Sequence, residues 1–191
     1  MRSASNATYA NRGMPLEKLI KLSAAAQADQ GLDLDKTGQG FAATGRDGGR
    51  LVGMATTTAP LDFTGGYARA NRWDTRVEIE AKSTKVPTRF NLSLLHDHQV
   101  RRLERLHGRR AVAFVLIEFR GMEPAYRALT WPVLRSWWAE WRMRDYRTVP
   151  ASIPRATIEA HCPAIPVIRR GGGVRLDLVA VIEQLMAARA A

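Results

Sequence analysis

The sequence predicts a mixed α/β protein, a central β-sheet with helices packed against it. Three observations carry this. The run AVAFVLIEF, residues 111–119, is apolar almost throughout and is bounded by charged residues, as a strand buried on both faces requires. The stretch VEIEAK, residues 77–82, alternates apolar and charged side chains with the two-residue period of a strand. Around them lie segments of helical spacing, in the order helix, strands, helix, strand, helix, which suits one α/β or α+β core. At 191 residues one core is the default.

The elements follow in order. Residues 1–10 are polar and without an apolar segment, so they read as a flexible N-terminus and not as a signal peptide; residues 11–191 read as a single domain. Pro15 and the apolar Leu16, Leu19, Ile20 and Leu22 predict an amphipathic helix over 14–29, ended by Gly31. LDLDK, 32–36, predicts a short strand. Residues 38–58 are rich in Gly and Thr around the turn GRDGGR and predict a hairpin arm standing off the core. Leu61 to Gly66 enters the sheet, the loop ARANRWDTR leads into the VEIEAK strand, and Pro87 breaks the chain. A helix is expected over 92–107, with Leu92, Leu95, Gln99, Leu103 and Leu106 near one face. YRALTW pairs beside the AVAFVLIEF strand, and VLRSWWAEWRMR forms a helix whose Trp137, Trp138 and Trp141 belong to the core or to a dimer interface. A short helix starts near Ser152, Gly171 to Gly173 form a turn, and LDLVAVIEQLMAARA closes as strand into helix or as one helix.

Twenty-nine Lys and Arg against eighteen Asp and Glu give a net charge of +11, which points to a polyanionic partner: nucleic acid first, an anionic membrane surface second. No apolar run is long enough to span a bilayer. The single cysteine, Cys162, allows no intrachain disulfide, which suits a reducing compartment and a cytoplasmic protein. Arg101, Arg102, Arg105, Arg109 and Arg110 are expected on the far side of the helix from Leu103 and Leu106. With only Glu104 among them, they favour phosphate contact.

On the VEIEAK strand, Glu78, Glu80 and Lys82 share one face, with neighbours about 7 Å apart. Two carboxylates that close repel unless a cation joins them. The face is either solvated and balanced by Lys82, or a metal site with a lysine beside it. Asp62, in PLDFTG, stands at the start of the preceding strand, where its carboxylate can converge with that of Glu80. Mg²⁺ takes oxygen ligands at about 2.1 Å, with water and substrate phosphate completing its shell. A nearby lysine stabilises charge developing on phosphate. Asp62, Glu80 and Lys82 therefore suit phosphodiester hydrolysis, and they match the PD-(D/E)XK nuclease pattern.

Further segments extend the match: NRGMPLEKL, PLDFTGG, VEIEAKST, FNLSLLHDHQ and SIPRATIE occur in that order. Together they resemble the RecU-type Holliday junction resolvases, from about Asn11 to Ile182. The resemblance implies a PD-(D/E)XK (restriction-endonuclease-like) fold, a central mixed β-sheet flanked by helices, with residues 38–58 as a protruding hairpin stalk that enters the junction. It implies Asp62 and Glu80 as metal ligands, Lys82 as the lysine that stabilises the transition state, Gln99 at the metal directly or through water, and Glu17 as a supporting glutamate on the first helix. Two positions depart from the family pattern. Pro60 stands where a threonine is usual, and Glu78 stands where an aspartate is usual, either as a substitute ligand or as a solvated neighbour. His96 and His98 read as capping or surface residues.

The implied activity is a Mg²⁺- or Mn²⁺-dependent endonuclease that nicks four-way junction DNA symmetrically in recombination and repair. It would act as a homodimer, with a recombinase as a further partner. DNA would be held by Arg101, Arg102 and Arg105, and by Arg46 and Arg50 of the stalk. Two rival readings stand beside it: another structure- or duplex-specific nuclease of the same superfamily, and a basic nucleic-acid-binding module with a degenerate site.

Overall fold

The computed structural model describes residues 15–37, 41–47, 50–55, 61–68, 75–143, 151–170 and 173–190, with backbone only for 41–55 and 190. The first helix, α1 (Leu16–Ala25), starts after Pro15, whose carbonyl accepts the Leu19 N–H at 3.1 Å. It is shorter than the expected 14–29, because Ala28–Gln30 tighten into a 3₁₀ turn. Gly31, expected to end the helix, ends the 3₁₀ turn instead. Its φ is +88°, and a Cβ there would lie 2.0 Å from the Ala68 carbonyl oxygen, so only glycine fits.

Strand β1 (Leu32–Lys36) follows, then β2 (Phe41–Asp47) and β3 (Arg50–Ala55), which pair antiparallel with each other and, among the described residues, with no strand of the main sheet. Next come β4 (Phe63–Tyr67), β5 (Thr75–Thr84) and β6 (Arg89–Asn91), then α2 (Asp97–Gly108), β7 (Val112–Phe119), β8 (Ala125–Thr130) and α3 (Trp131–Met143). The chain closes with β9 (Ser152–Pro154), α4 (Arg155–His161), β10 (Val167–Arg170), β11 (Gly173–Leu176) and α5 (Leu178–Ala190). The main sheet runs β1-β4-β5-β7-β8; β5 and β7 are parallel, and the other neighbours are antiparallel. The fold is thus a mixed α/β fold with a central mixed sheet flanked by helices. Among the described residues, no helix is long and apolar enough to cross a membrane.

Two cores form, one on each face of the sheet. Leu16, Leu19 and Ile20 of α1 and Val181 and Ile182 of α5 pack on Val77, Ile79 and Phe114. Val100, Leu103 and Leu106 of α2 and Leu134 of α3 pack on Val115, Ile117 and Leu129. Strand β7 is buried along its whole length, as its apolar run requires. The tryptophans of α3 are half-buried against the second core, with Trp138 and Trp141 edge to face at 4.9 Å.

Two expectations are corrected. Leu92–Leu94 form a 3₁₀ turn and α2 begins only at Asp97, so Leu92 and Leu95 are buried from outside the helix. Ser152 opens a short strand, β9, paired with β6, before α4 starts at Arg155.

Candidate active site

The α2-facing side of β5 is where the sheet departs from an ordinary core. Glu78 and Glu80 are both fully buried, so this face is not solvated. Each carboxylate is held by different partners. Glu78 receives Arg102 in a two-pronged contact: Nε donates to Oε2 at 2.9 Å and Nη2 donates to Oε1. Arg76 Nε donates to Oε1 at 2.7 Å. Both oxygens are therefore taken by guanidinium groups, the geometry in which a buried carboxylate is most stable. The solvated-neighbour expectation for Glu78 is corrected, and Arg102 turns inward to it, away from the exposed Arg101 and Arg105.

Glu80 lies two residues on, in a different setting. Phe63 pairs with Ile79, so Asp62, just before β4, falls opposite Glu80. Asp62 Oδ2 accepts the Ala81 N–H at 2.8 Å, and the Asp62 carbonyl accepts the Thr37 N–H at 2.8 Å. Asp62 is thus clamped between β1 and β5. Glu80 Oε1 accepts from Lys82 Nζ and from Gln99 Nε2, both at 2.6 Å. The Gln99 amide is oriented by the start of α2, because its Oε1 accepts the His96 N–H at 2.9 Å. The NH₂ must then face Glu80. Gln99 therefore meets the site through Glu80.

The second oxygen of Glu80, Oε2, is buried with no hydrogen-bond partner among the described residues. A buried unpartnered carboxylate oxygen is costly. Burial pushes the Glu80 carboxyl up to about 7; Lys82 pulls it down, and the nearby Asp62 carboxylate pushes it further up. A divalent cation between Asp62 and Glu80 would satisfy Oε2 and favour the ionised form. Among the described residues no three His, Cys, Asp or Glu side chains cluster for a metal. Two carboxylates are nonetheless what Mg²⁺ commonly takes from protein, the rest being water and phosphate. The residues fit the ion.

Glu17 is drawn to Lys36, whose Nζ donates to its Oε2 at 2.5 Å. That contact raises the Lys36 pKa, and the Asp62 charge adds to the effect. Glu17 thus borders the site through a lysine that the sequence reading did not single out, although it ends the LDLDK strand beside Asp62. His96 and His98 stack at 5.6 Å on the solvent side, and partial burial lowers the His98 pKa, with the His96 and Lys82 charges adding to it. Pro60 and the side chains of Arg46 and Arg50 lie outside the described residues.

Comparison with known proteins gives the family. The family model described as RecU, Recombination protein U, matches residues 11–184. The chain belongs to the RecU family. It is 29% identical over 109 residues, 57% of this chain and 50% of the relative, to the Holliday junction resolvase RecU of Geobacillus kaustophilus (strain HTA426). It is 40% identical over 50 residues, 26% of this chain and 24% of the relative, to the Holliday junction resolvase RecU of Staphylococcus saprophyticus. The chain spans about half the length of the Geobacillus relative and about a quarter of the staphylococcal one.

Proposed function

We propose that this protein is a Holliday junction resolvase: a divalent-metal-dependent endonuclease of PD-(D/E)XK type that nicks four-way DNA junctions. The observation that carries the reading is the buried Oε2 of Glu80, without a hydrogen-bond partner among the described residues, on a carboxylate next to Asp62 and Lys82 in a chain of the RecU family.

Asp62 and Glu80 would hold Mg²⁺ or Mn²⁺. Bound there, the ion supplies an acidified water and Lewis-acid stabilisation of the phosphate. The chain's own groups do the positioning. The Ala81 N–H fixes Asp62, and Gln99 fixes Glu80. Lys82, in contact with Glu80 and only partly exposed, would stabilise the negative charge added to phosphorus as water attacks. The hairpin β2–β3 forms its own two-stranded sheet, which suits a stalk entering the junction.

Resolution requires two nicks, and one site per chain supplies one of them. A C₂ homodimer is the economical arrangement. The deciding experiment compares a synthetic four-way junction with a linear duplex of the same sequence, with and without Mg²⁺ or Mn²⁺. Paired, metal-dependent nicks in the junction are expected. Cleavage of both substrates alike would point to a duplex nuclease, and no cleavage with either metal would overturn the enzymatic reading. Mixed dimers of wild type and Glu80→Gln should nick one strand and leave the junction unresolved. Light scattering that finds a monomer with paired nicking intact would refute the dimer.

A further inference from the structure

At the far end of α2 from Glu80, a cleft of about 470 Å³ opens where β5 begins, α2 ends and β7 begins. It is lined by Arg76, Arg102, Arg105, Arg109 and Arg110, with Thr75 beside them. Arg76 and Arg102 share the single negative charge of Glu78. Arg105, Arg109 and Arg110 have no ion pair among the described residues. Three guanidinium groups without an ion pair among the described residues repel one another in one concavity unless an anion joins them, and the guanidinium fork matches phosphate.

The backbone adds an independent observation. Arg110 has φ +58°, in the left-handed region, and it occupies the place just past the helix end where glycine is commonest. For a residue with a Cβ that conformation is strained. Gly108, two residues earlier, does not use its own freedom to adopt it. The chain thus keeps an arginine where glycine would sit more easily, and this arginine lines the cleft.

The cleft and the catalytic centre share one face of the sheet. Arg76, Glu78 and Glu80 alternate along the α2 side of β5, so Arg76 lies about 13 Å from Glu80 at about 3.3 Å per residue. Along α2, Gln99 and Gly108 are separated by about 13–14 Å, with Arg110 just beyond the helix end. At 3.4 Å per nucleotide step, this is the span of about four to five nucleotides.

We propose that the cleft is a second phosphate seat, separate from the catalytic centre, which grips a backbone phosphate of the bound DNA arm about four to five nucleotides from the bond being cut. The inference rests on the reading of the chain as a DNA-junction protein, but its test needs no cleavage.

Junction binding is measured by fluorescence anisotropy in EDTA over a range of salt, for the wild type, Arg110→Gly, and the triple variant Arg105→Ala/Arg109→Ala/Arg110→Ala. Arg110→Gly should raise the melting temperature by about 2–4 °C as the strain is relieved, and yet weaken binding. The triple variant should bind at least about tenfold more weakly, with a salt slope reduced by about one to two. A junction carrying a neutral methylphosphonate four or five nucleotides from the cut should weaken the wild type and leave the triple variant unchanged. If Arg110→Gly gains stability at unchanged affinity and slope, the cluster is a solvated face and the seat does not exist. If inorganic phosphate stabilises the wild type but not the triple variant while junction binding is equal, the cleft serves a free anion and the DNA seat is overturned. A chain that binds with the expected dependence but never cuts would sink the resolvase reading and leave the seat standing.

Discussion

Strands β5 and β7 are parallel neighbours at the centre of one sheet, and both have buried side chains on both faces. On the α1 side they look alike: Val77 and Ile79 beside Val112 and Phe114. On the α2 side they differ. Strand β7 presents Ala113, Val115 and Ile117 to the helix, while β5 presents Glu78, Glu80 and Lys82. Register pairs Glu78 with Ala113 and Glu80 with Val115, so carboxylates and core side chains occupy adjacent places in one layer. An alternating strand pattern ordinarily signals one wet face. Here the polar face is covered by a helix, and its cost is met differently at each end: by Arg102 and Arg76 at Glu78, and only in part, by Lys82 and Gln99, at Glu80. The incompletely satisfied end is the candidate site.

The comparison can be broken at its strongest point. Ile117→Ala, on β7, should cost about 3–4 kcal/mol of stability through the cavity it leaves, with cleavage per folded molecule unchanged. Lys82→Ala or Asp62→Asn, on the site side, should lower junction cleavage by at least roughly 100-fold and cost much less stability than Ile117→Ala. Chemical denaturation and single-turnover cleavage read the two arms. Near-normal cleavage by Lys82→Ala would remove the lysine from the mechanism.

The two ends of the acidic face can be separated next. Arg102→Ala leaves Glu78 buried with Arg76 as its remaining ion-pair partner and should cost about 2 kcal/mol. Urea melts that match the wild type would show that the pair contributes nothing to the fold. Glu80 should behave in the opposite sense in metal-free protein. Its folded pKa, about 7, lies above the ordinary glutamate value of 4.5. The proton it binds in the folded state stabilises the fold fully below about pH 4.5, and that contribution is lost as pH rises through 7. Glu80→Gln should therefore stabilise the metal-free protein by about 1–2 kcal/mol at pH 8 and by much less at pH 5. Equal effects at the two pH values would place the gain elsewhere. The smallest effect is expected off the sheet altogether. Replacing residues 40–56 with a short Gly-Ser turn should leave the melting temperature within a few degrees while reducing preference for junction over duplex.

The acidic face also shows how much the sequence disclosed. The strand, its period, and the pairing of Asp62 with Glu80 across two neighbouring strands were legible, because period and turn chemistry are local. The burial of Glu78 was not, since its partner Arg102 lies 24 residues away and only packing joins them. One signal was present. Gln99, Arg102, Leu103 and Leu106 fall at i, i+3, i+4 and i+7, a single helical stripe, so Arg102 belongs with the inward residues. Starting the helix at 92 obscured this, because the 3₁₀ turn at Leu92–Leu94 and the extended Leu95 and His96 separate the first leucines from the helix proper. Lys36 was missed for a simpler reason: a lysine ending a short edge strand has no pattern of its own.

Gln99 performs two jobs with one amide. Its oxygen caps the start of α2 through the His96 N–H, and its nitrogen holds Glu80. Lys82 has one job, beside Glu80. The two residues should therefore part company when a lineage abandons cleavage. Selection on folding alone would still retain the glutamine, while the lysine would be held only by its one contact with the buried Glu80 and would be lost once that carboxylate was replaced. In a descendant chain, a kept glutamine would be a relic of architecture, and only the lysine would testify to living chemistry.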